Sequence, residues 1–247
     1  MKRGAQREQG TFWNMSKTEI RPFADDHPDA PIRGYLHVPA NPSGDALVLT
    51  HGAGSNSQSP LLVAVADAFC EIGITVLRCD LLFRQLRPHG PPPRGSAPGD
   101  QQVLRRAVEA MKAKVLADIV ATRAKSKQVA GRVFLGGHSY GGRQASMLAA
   151  SEPGLAEALL LLSYPLHPPK RPDELRTAHF PSLRTPSLFV HGTRDGFATI
   201  AELTTALKLI PARTQLLPVE NAGHELLTAK NRANLPTEIT KSFCKFA

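Results

Sequence analysis

The stretch Val133-Phe134-Leu135-Gly136-Gly137-His138-Ser139-Tyr140-Gly141-Gly142-Arg143 starts as an apolar strand and ends as the first turn of a helix. Within it, Gly137-His138-Ser139-Tyr140-Gly141 fits the pattern G-x-S-x-G. The pattern has a steric cause. A serine on a sharp strand-to-helix turn is held in strained backbone geometry, and glycine on either side lets strand and helix approach closely. Such a turn lifts the hydroxyl clear of the sheet edge. It also points the N–H of the next residue, Tyr140, at a charge developing near the hydroxyl. The following Gln144-Ala145-Ser146-Met147-Leu148-Ala149-Ala150 has the composition of a helix, so the context matches as well as the motif.

Outward from that turn, strands alternate with helices. An antiparallel pair is expected over 18–23 and 32–38, with a turn at Asp25-Asp26-His27-Pro28-Asp29. A short strand at 46–50 leads into His51-Gly52-Ala53-Gly54. A helix is expected over 60–72, with Ser59 as its cap and Pro60 in its first turn. Strand 75–79 ends at Asp80, and a Pro-, Gly- and Arg-rich loop without structure of its own is expected over 83–99. Apolar residues at helical spacing predict a long helix from Asp100 to about residue 125. Strand 132–137 and the serine turn follow, then an apolar run at 158–163 that reads as a strand buried on both faces. A second Pro-rich loop spans 164–186, with one helical turn expected near 172–177. Strand 187–191, helix 201–210, strand 214–219 and a terminal helix over 235–246 complete the chain. This alternation predicts an α/β fold, a mostly parallel central sheet with helices on both faces. In such sheets ligands bind beyond the carboxyl ends of the strands.

Composition narrows the function classes. No apolar run nears the ~20 residues of a membrane span, and Lys2 and Arg3 have no apolar stretch behind them, so neither membrane insertion nor secretion is expected. Cys70, Cys79 and Cys244 form no C-x-x-C pair and read as buried or inert thiols in a reducing cytoplasm. The net charge of +9 invites a nucleic-acid reading, but no such module is recognisable and the basic clusters at 123–127 and 170–171 lack interleaved aromatics, so a solvated basic surface is expected instead. Residues 1–15 are polar and read as a flexible extension, with Trp13 its candidate for packing on the body; residues 16–247 read as one domain.

Four groups fall just beyond the ends of expected parallel strands: Ala53, Ser139, Asp195 and His224. The order nucleophile, acid, histidine is that of the α/β-hydrolases. From about residue 17 to 247 the chain resembles that superfamily, on His51-Gly52-Ala53-Gly54, on Gly137-His138-Ser139-Tyr140-Gly141, and on His191-Gly192-Thr193-Arg194-Asp195 with Ala222-Gly223-His224. Arg78-Cys79-Asp80, the run 84–92 and the run 162–169 resemble a narrower, dienelactone-hydrolase-like branch related to the testis-expressed and NSL-complex hydrolase-like proteins. Dienelactone hydrolases proper use a cysteine where Ser139 stands here.

Chemistry assigns the roles. A serine hydroxyl needs a base beside it, and histidine titrates near neutrality. His224 is therefore the candidate base, and Asp195 the group that fixes its tautomer. The N–H groups of Ala53 and Tyr140 are the candidate oxyanion hole, with Gly52, Gly54, Gly137 and Gly141 as supports. Other readings stand beside these. His224 reads also as a lone loop histidine and Asp195 as a helix cap, with Asp173 and Glu174 as rival acids. His51 is expected to order its loop, His138 and His191 to be structural, Arg143 to support the helix after the turn, and Asp80 to organise the loop 83–99.

The expected function is hydrolysis of a small carboxylic ester or thioester through an acyl-enzyme. The alternative is a hydrolase-like interaction module with little or no turnover. No cofactor and no metal are implied, since no H-E-x-x-H or clustered Cys/His signature occurs. No nucleic-acid or membrane partner is expected, and the sequence carries no signal of oligomeric state. The connection 164–186 is too short and proline-rich for a cap domain. With no cap, the loops 83–99 and 164–186 would wall the site. Both are net positive, and Arg84 and Arg87 are the candidates for binding an anionic substrate.

Overall fold

The computed structural model describes residues 18–122 and 131–247. The extension 1–15 with Trp13 and the basic cluster 123–127 lie outside the described residues. Eight strands form one sheet: β1 (Glu19–Asp25), β2 (Ile32–Val38), β3 (Ala46–Thr50), β4 (Thr75–Cys79), β5 (Val133–His138), β6 (Leu159–Leu162), β7 (Ser187–Gly192) and β8 (Thr214–Val219). Their order is β1-β2-β4-β3-β5-β6-β7-β8. β2 runs antiparallel to both β1 and β4, and every other pairing is parallel. The chain leaves β3 for β4 on one side and returns to β5 on the other. That reversal opens a crevice at the carboxyl ends of β3 and β5, the kind of place where open α/β sheets bind ligands.

The sheet is covered on both faces, and β6 shows why. Leu159 and Leu161 belong to one core, Leu160 and Leu162 to the other, and all four are fully buried. A period of two along a strand sends successive leucines to opposite faces, so a four-leucine run fits only a strand with helices above and below. On one face lie α1 (Pro60–Glu71) and α6 (Leu235–Phe246), where Phe243 meets Phe69 and Phe134 edge-on at ring distances of 5.6 and 5.1 Å. On the other face lie α3 (Ala97–Thr122), α4 (Tyr140–Ser151) and α5 (Ile200–Leu207). The cap of α1 is Ser59, whose Oγ accepts from the N–H of Leu62.

Several expectations need correction. The stretch 83–99 is not structureless: α2 (Leu82–Leu86) occupies its start and α3 begins at Ala97, not Asp100. The N–H of Asp100 already donates to Ser96 O, a helical bond, and Pro98 is tolerated because the first turn of a helix needs no N–H partners. No helix forms over 172–177; the single helical turn of that connection is a 3₁₀ turn at Phe180–Ser182. Burial decides this, because Phe180 is fully buried against Tyr164 and Phe189, whereas 171–175 are exposed. Helix α5 starts one residue early, at Ile200, through a capping box of Thr199 and Glu202, and ends at Leu207. Among the cysteines, Cys70 and Cys79 are buried but Cys244 is exposed. No cap domain is inserted between β6 and β7, and among the described residues no helix is long and apolar enough to cross a membrane.

Candidate active site

Ser139 joins β5 to α4 with φ 51° and ψ −117°, outside the regions that residues with a Cβ favour. Its N–H donates to Leu162 O at 2.8 Å, which pins the turn to the neighbouring strand. The glycines around it are sterically required. A Cβ on Gly137 would lie 2.7 Å from the carbonyl carbon of Gly141, and one on Gly141 would lie 2.5 Å from His51 O. Gly52 is nearly as tight, against Ser139 and His138, whereas Gly54 faces open space and has no such constraint.

The structure brings Ser139, His224 and Asp195 into one hydrogen-bonded line. Ser139 Oγ is 2.7 Å from His224 Nε2, and His224 Nδ1 is 2.8 Å from Asp195 Oδ2. The other carboxylate oxygen accepts from the N–H of Phe197 at 2.9 Å. The Asp195 side chain is fully buried, which alone would raise its pKa, but the bond from His224 and the neighbouring imidazoles outweigh burial and hold it below the usual carboxylate value. The rivals Asp173 and Glu174 lie on the exposed part of the 164–186 connection, with Glu174 paired to Arg171. The loops carrying Asp195 and His224 pack backbone to backbone. Arg194 N–H donates to Ala222 O, Asn221 N–H to Thr193 Oγ1, and a Cβ on Gly192 would lie 2.4 Å from Ala222 O.

Two features of this site were not read from the sequence. The Phe197 ring lies against the His224 imidazole, with centroids 4.1 Å apart at 32°. Asp100, fully buried, accepts from Tyr140 Oη at 2.7 Å and from the N–H of Phe83 at 3.0 Å, so it ties α2 to the residue after the serine. It is thus Asp100, not Asp80, that organises the 83–99 segment. Asp80 instead accepts from the N–H of Ser57 at 2.7 Å. An aspartate at the start of a helical pattern gives no sequence signal of either bond.

Arg84 also differs from expectation. It is 7% exposed, and its guanidinium donates to four carbonyls, those of Ser55, Ala53, Arg87 and Gly90. These bonds brace the 51–55 loop and engage the guanidinium with main chain; Arg87 is exposed. His51 orders the same loop as a neutral ring. Its Nδ1–H donates to Gly52 O, its Nε2 accepts from the N–H of Leu81, and burial, chiefly, lowers its pKa to about 4. His191 is fully buried, with Nε2 3.0 Å from Ala198 O and 3.6 Å from Asp195 Oδ2. Among the described residues no cluster of His, Cys, Asp and Glu could hold a metal ion.

Comparison with known proteins places the fold in a family. Residues 43–246 match the family model described as an alpha/beta hydrolase domain. Among solved structures, the chain is similar to dienelactone hydrolase from Anabaena variabilis, with 21% identity, a TM-score of 0.67 and coverage of 94% of this chain and 99% of that one. It is also similar to Est1E from Butyrivibrio proteoclasticus (17% identity, TM-score 0.60, 91% and 98% coverage) and to a serine hydrolase without lid from Xanthomonas campestris (17%, 0.63, 94% and 96%).

Proposed function

Since the chain belongs to the α/β-hydrolase family, we propose that it is a serine hydrolase that cleaves a small carboxylic ester or thioester, with Ser139 as nucleophile, His224 as base and Asp195 as its orienting acid. The observation that carries the reading is the continuous line Ser139 Oγ–His224–Asp195 at 2.7 and 2.8 Å. The first contact lies within the reach a base needs to take a proton, and the second within hydrogen-bond distance for holding the imidazole. His224 Nε2 accepts the hydroxyl proton as Oγ attacks the carbonyl carbon. The tetrahedral oxyanion that forms is met by the N–H groups of Tyr140 and Ala53. Tyr140 opens α4, where an N–H has no intrahelical acceptor. No hydrogen bond among the described residues occupies the Ala53 N–H. Collapse of the intermediate breaks the ester C–O or thioester C–S bond, and His224 returns the proton to the leaving alcohol or thiol. Water then attacks the acyl-enzyme by the same route in reverse. This mechanism uses no cofactor and no metal.

The lidless architecture supports a small, soluble substrate and favours the dienelactone-hydrolase-like branch; the tie to NSL-complex relatives rests on the sequence motifs alone. The test is hydrolysis of p-nitrophenyl acetate and of an acetyl thioester by wild type, Ser139→Ala, Asp195→Asn, His224→Ala and the double variants. Groups that act as a unit lose activity non-additively. Each single variant should therefore fall by several orders of magnitude, and Ser139→Ala/His224→Ala no further than Ser139→Ala. Full activity in Ser139→Ala, or additive losses, would overturn the assignment. A wild type inert on every ester and thioester would favour an interaction module on this fold.

A further inference from the structure

The residue before the serine does more than fill the turn. His138 lies at the end of β5, 4% exposed, between the loop that carries Gly52 and Ala53 and the loop that carries His224. Its Nε2–H donates to the backbone carbonyl of His224 at 2.8 Å. Its ring stands 5.2 Å from the His224 ring, tilted by 46°. Its opposite nitrogen faces Gly52: a Cβ built there would lie 3.1 Å from His138 Nδ1. Burial, above all, lowers the His138 pKa, so the ring is neutral and carries one N–H, which the His224 carbonyl claims.

We propose that His138 is a positioning residue for the hydrolysis proposed above: a rigid imidazole wedge that sets the separation between the His224 loop and the Gly52–Ala53 loop. Three geometric facts support it. The hydrogen bond runs to the main chain of His224, so it fixes the backbone from which the base projects. The Gly52 contact is made by the same ring, so one side chain gauges both loops. The ring also stands 5.2 Å from the His224 ring, while Ser139, the next residue, meets His224 Nε2. An imidazole has two side-chain torsions and a flat, stiff body, so it holds that gap at little entropic cost. A shift of about 1 Å in a catalytic group costs up to about 100-fold in rate.

The inference rests on the serine-hydrolase reading for its consequence and on packing for its mechanism, so two measurements separate them. The first is steady-state kinetics of His138→Leu and His138→Gln. Leucine fills the space without a donor, whereas the glutamine amide can reach the His224 carbonyl. His138→Leu should lower kcat by about 10- to 100-fold with KM within about threefold, and His138→Gln should recover about tenfold of that loss. A kcat for His138→Leu within about twofold of wild type, or a His138→Gln no better than His138→Leu, overturns the proposal. The second needs no turnover. Gly52→Ala is made in the wild-type and His138→Ala backgrounds and melting temperatures are compared. If the ring is the wedge, Gly52→Ala should cost about 3 °C less, or better, once the imidazole is gone. Equal losses in both backgrounds overturn the wedge whether or not the protein is a hydrolase.

Discussion

Ser139 carries a backbone cost that a nucleophile can use and a structural residue would avoid. Its φ of 51° with ψ of −117° is a conformation in which a Cβ is strained by about 1–3 kcal/mol. The hydrogen bond from its N–H to Leu162 O and the close-packed glycines Gly137 and Gly141 hold it there. Removing the Cβ should release the strain. Ser139→Gly is therefore expected to melt higher than Ser139→Ala, by about 2–4 °C for each ~1 kcal/mol released in a chain of this size. Differential scanning calorimetry on the two variants decides it, and a Ser139→Gly that melts below Ser139→Ala would mean that the turn stores no strain. The residues around Ser139 differ in how visibly they advertised themselves. Ser139, Asp195 and His224 were legible because each follows a strand in a fixed order. Phe197 and Asp100 were not, because contacts between segments far apart in sequence leave no periodic trace.

At the scale of elements, the loop after β3 is shaped from behind. Arg84 sits on a five-residue helix, α2, that Pro88 prevents from continuing, and its guanidinium gathers the carbonyls of Ser55, Ala53, Arg87 and Gly90. A buried arginine with four of its five N–H donors on carbonyls is structural, and its loss leaves those carbonyls without that partner. Arg84→Met should thus lower kcat by about 10-fold or more, as a displaced Ala53 amide would, while leaving the ratio of kcat/KM for an anionic ester to that for its neutral analogue unchanged. Stopped-flow or steady-state assays with the two esters measure both quantities. A variant that loses only the anionic substrate would restore Arg84 to the role of an anion binder. The sequence showed a charged residue in a Pro-rich, net positive stretch and hence suggested a side chain free to meet an anionic substrate. What it could not show is that α2 folds back under the 51–55 loop, since only the tertiary fold supplies the carbonyls that Arg84 binds.

Across the described residues, several histidines are buried and held neutral. His37, His51 and His179 each have a pKa brought from 6.5 to about 4, in every case chiefly by burial, with Arg78 adding to the effect at His37 and Arg143 at His179. Their folded values are depressed, so the unfolded chain binds protons first as pH falls. Their contribution is complete above the unfolded value near 6.5 and is lost as pH falls toward 4. For His37 and His51, whose side chains are fully buried, the slope is about 1.4 kcal/mol per pH unit each. The melting temperature should therefore drop by at least about 5 °C between pH 7.5 and pH 5, a range in which unpaired carboxylates barely titrate. A flat profile there would contradict the buried, neutral state of these rings. The fold that buries them was largely legible, because a four-leucine strand and alternating helices leave few architectures open. The connection 164–186 was less so, since its one helical turn follows the burial of Phe180 and not a local propensity. If Ser139 is a nucleophile activated by His224, it should react covalently with a serine-directed probe. Purified protein is treated with a fluorophosphonate and digested, and the adduct is located by mass spectrometry. A single adduct is expected on the peptide containing Ser139, absent in Ser139→Ala and strongly slowed in His224→Ala; an unlabelled wild type, or equal labelling of Ser139→Ala, would rule out Ser139 as the nucleophile.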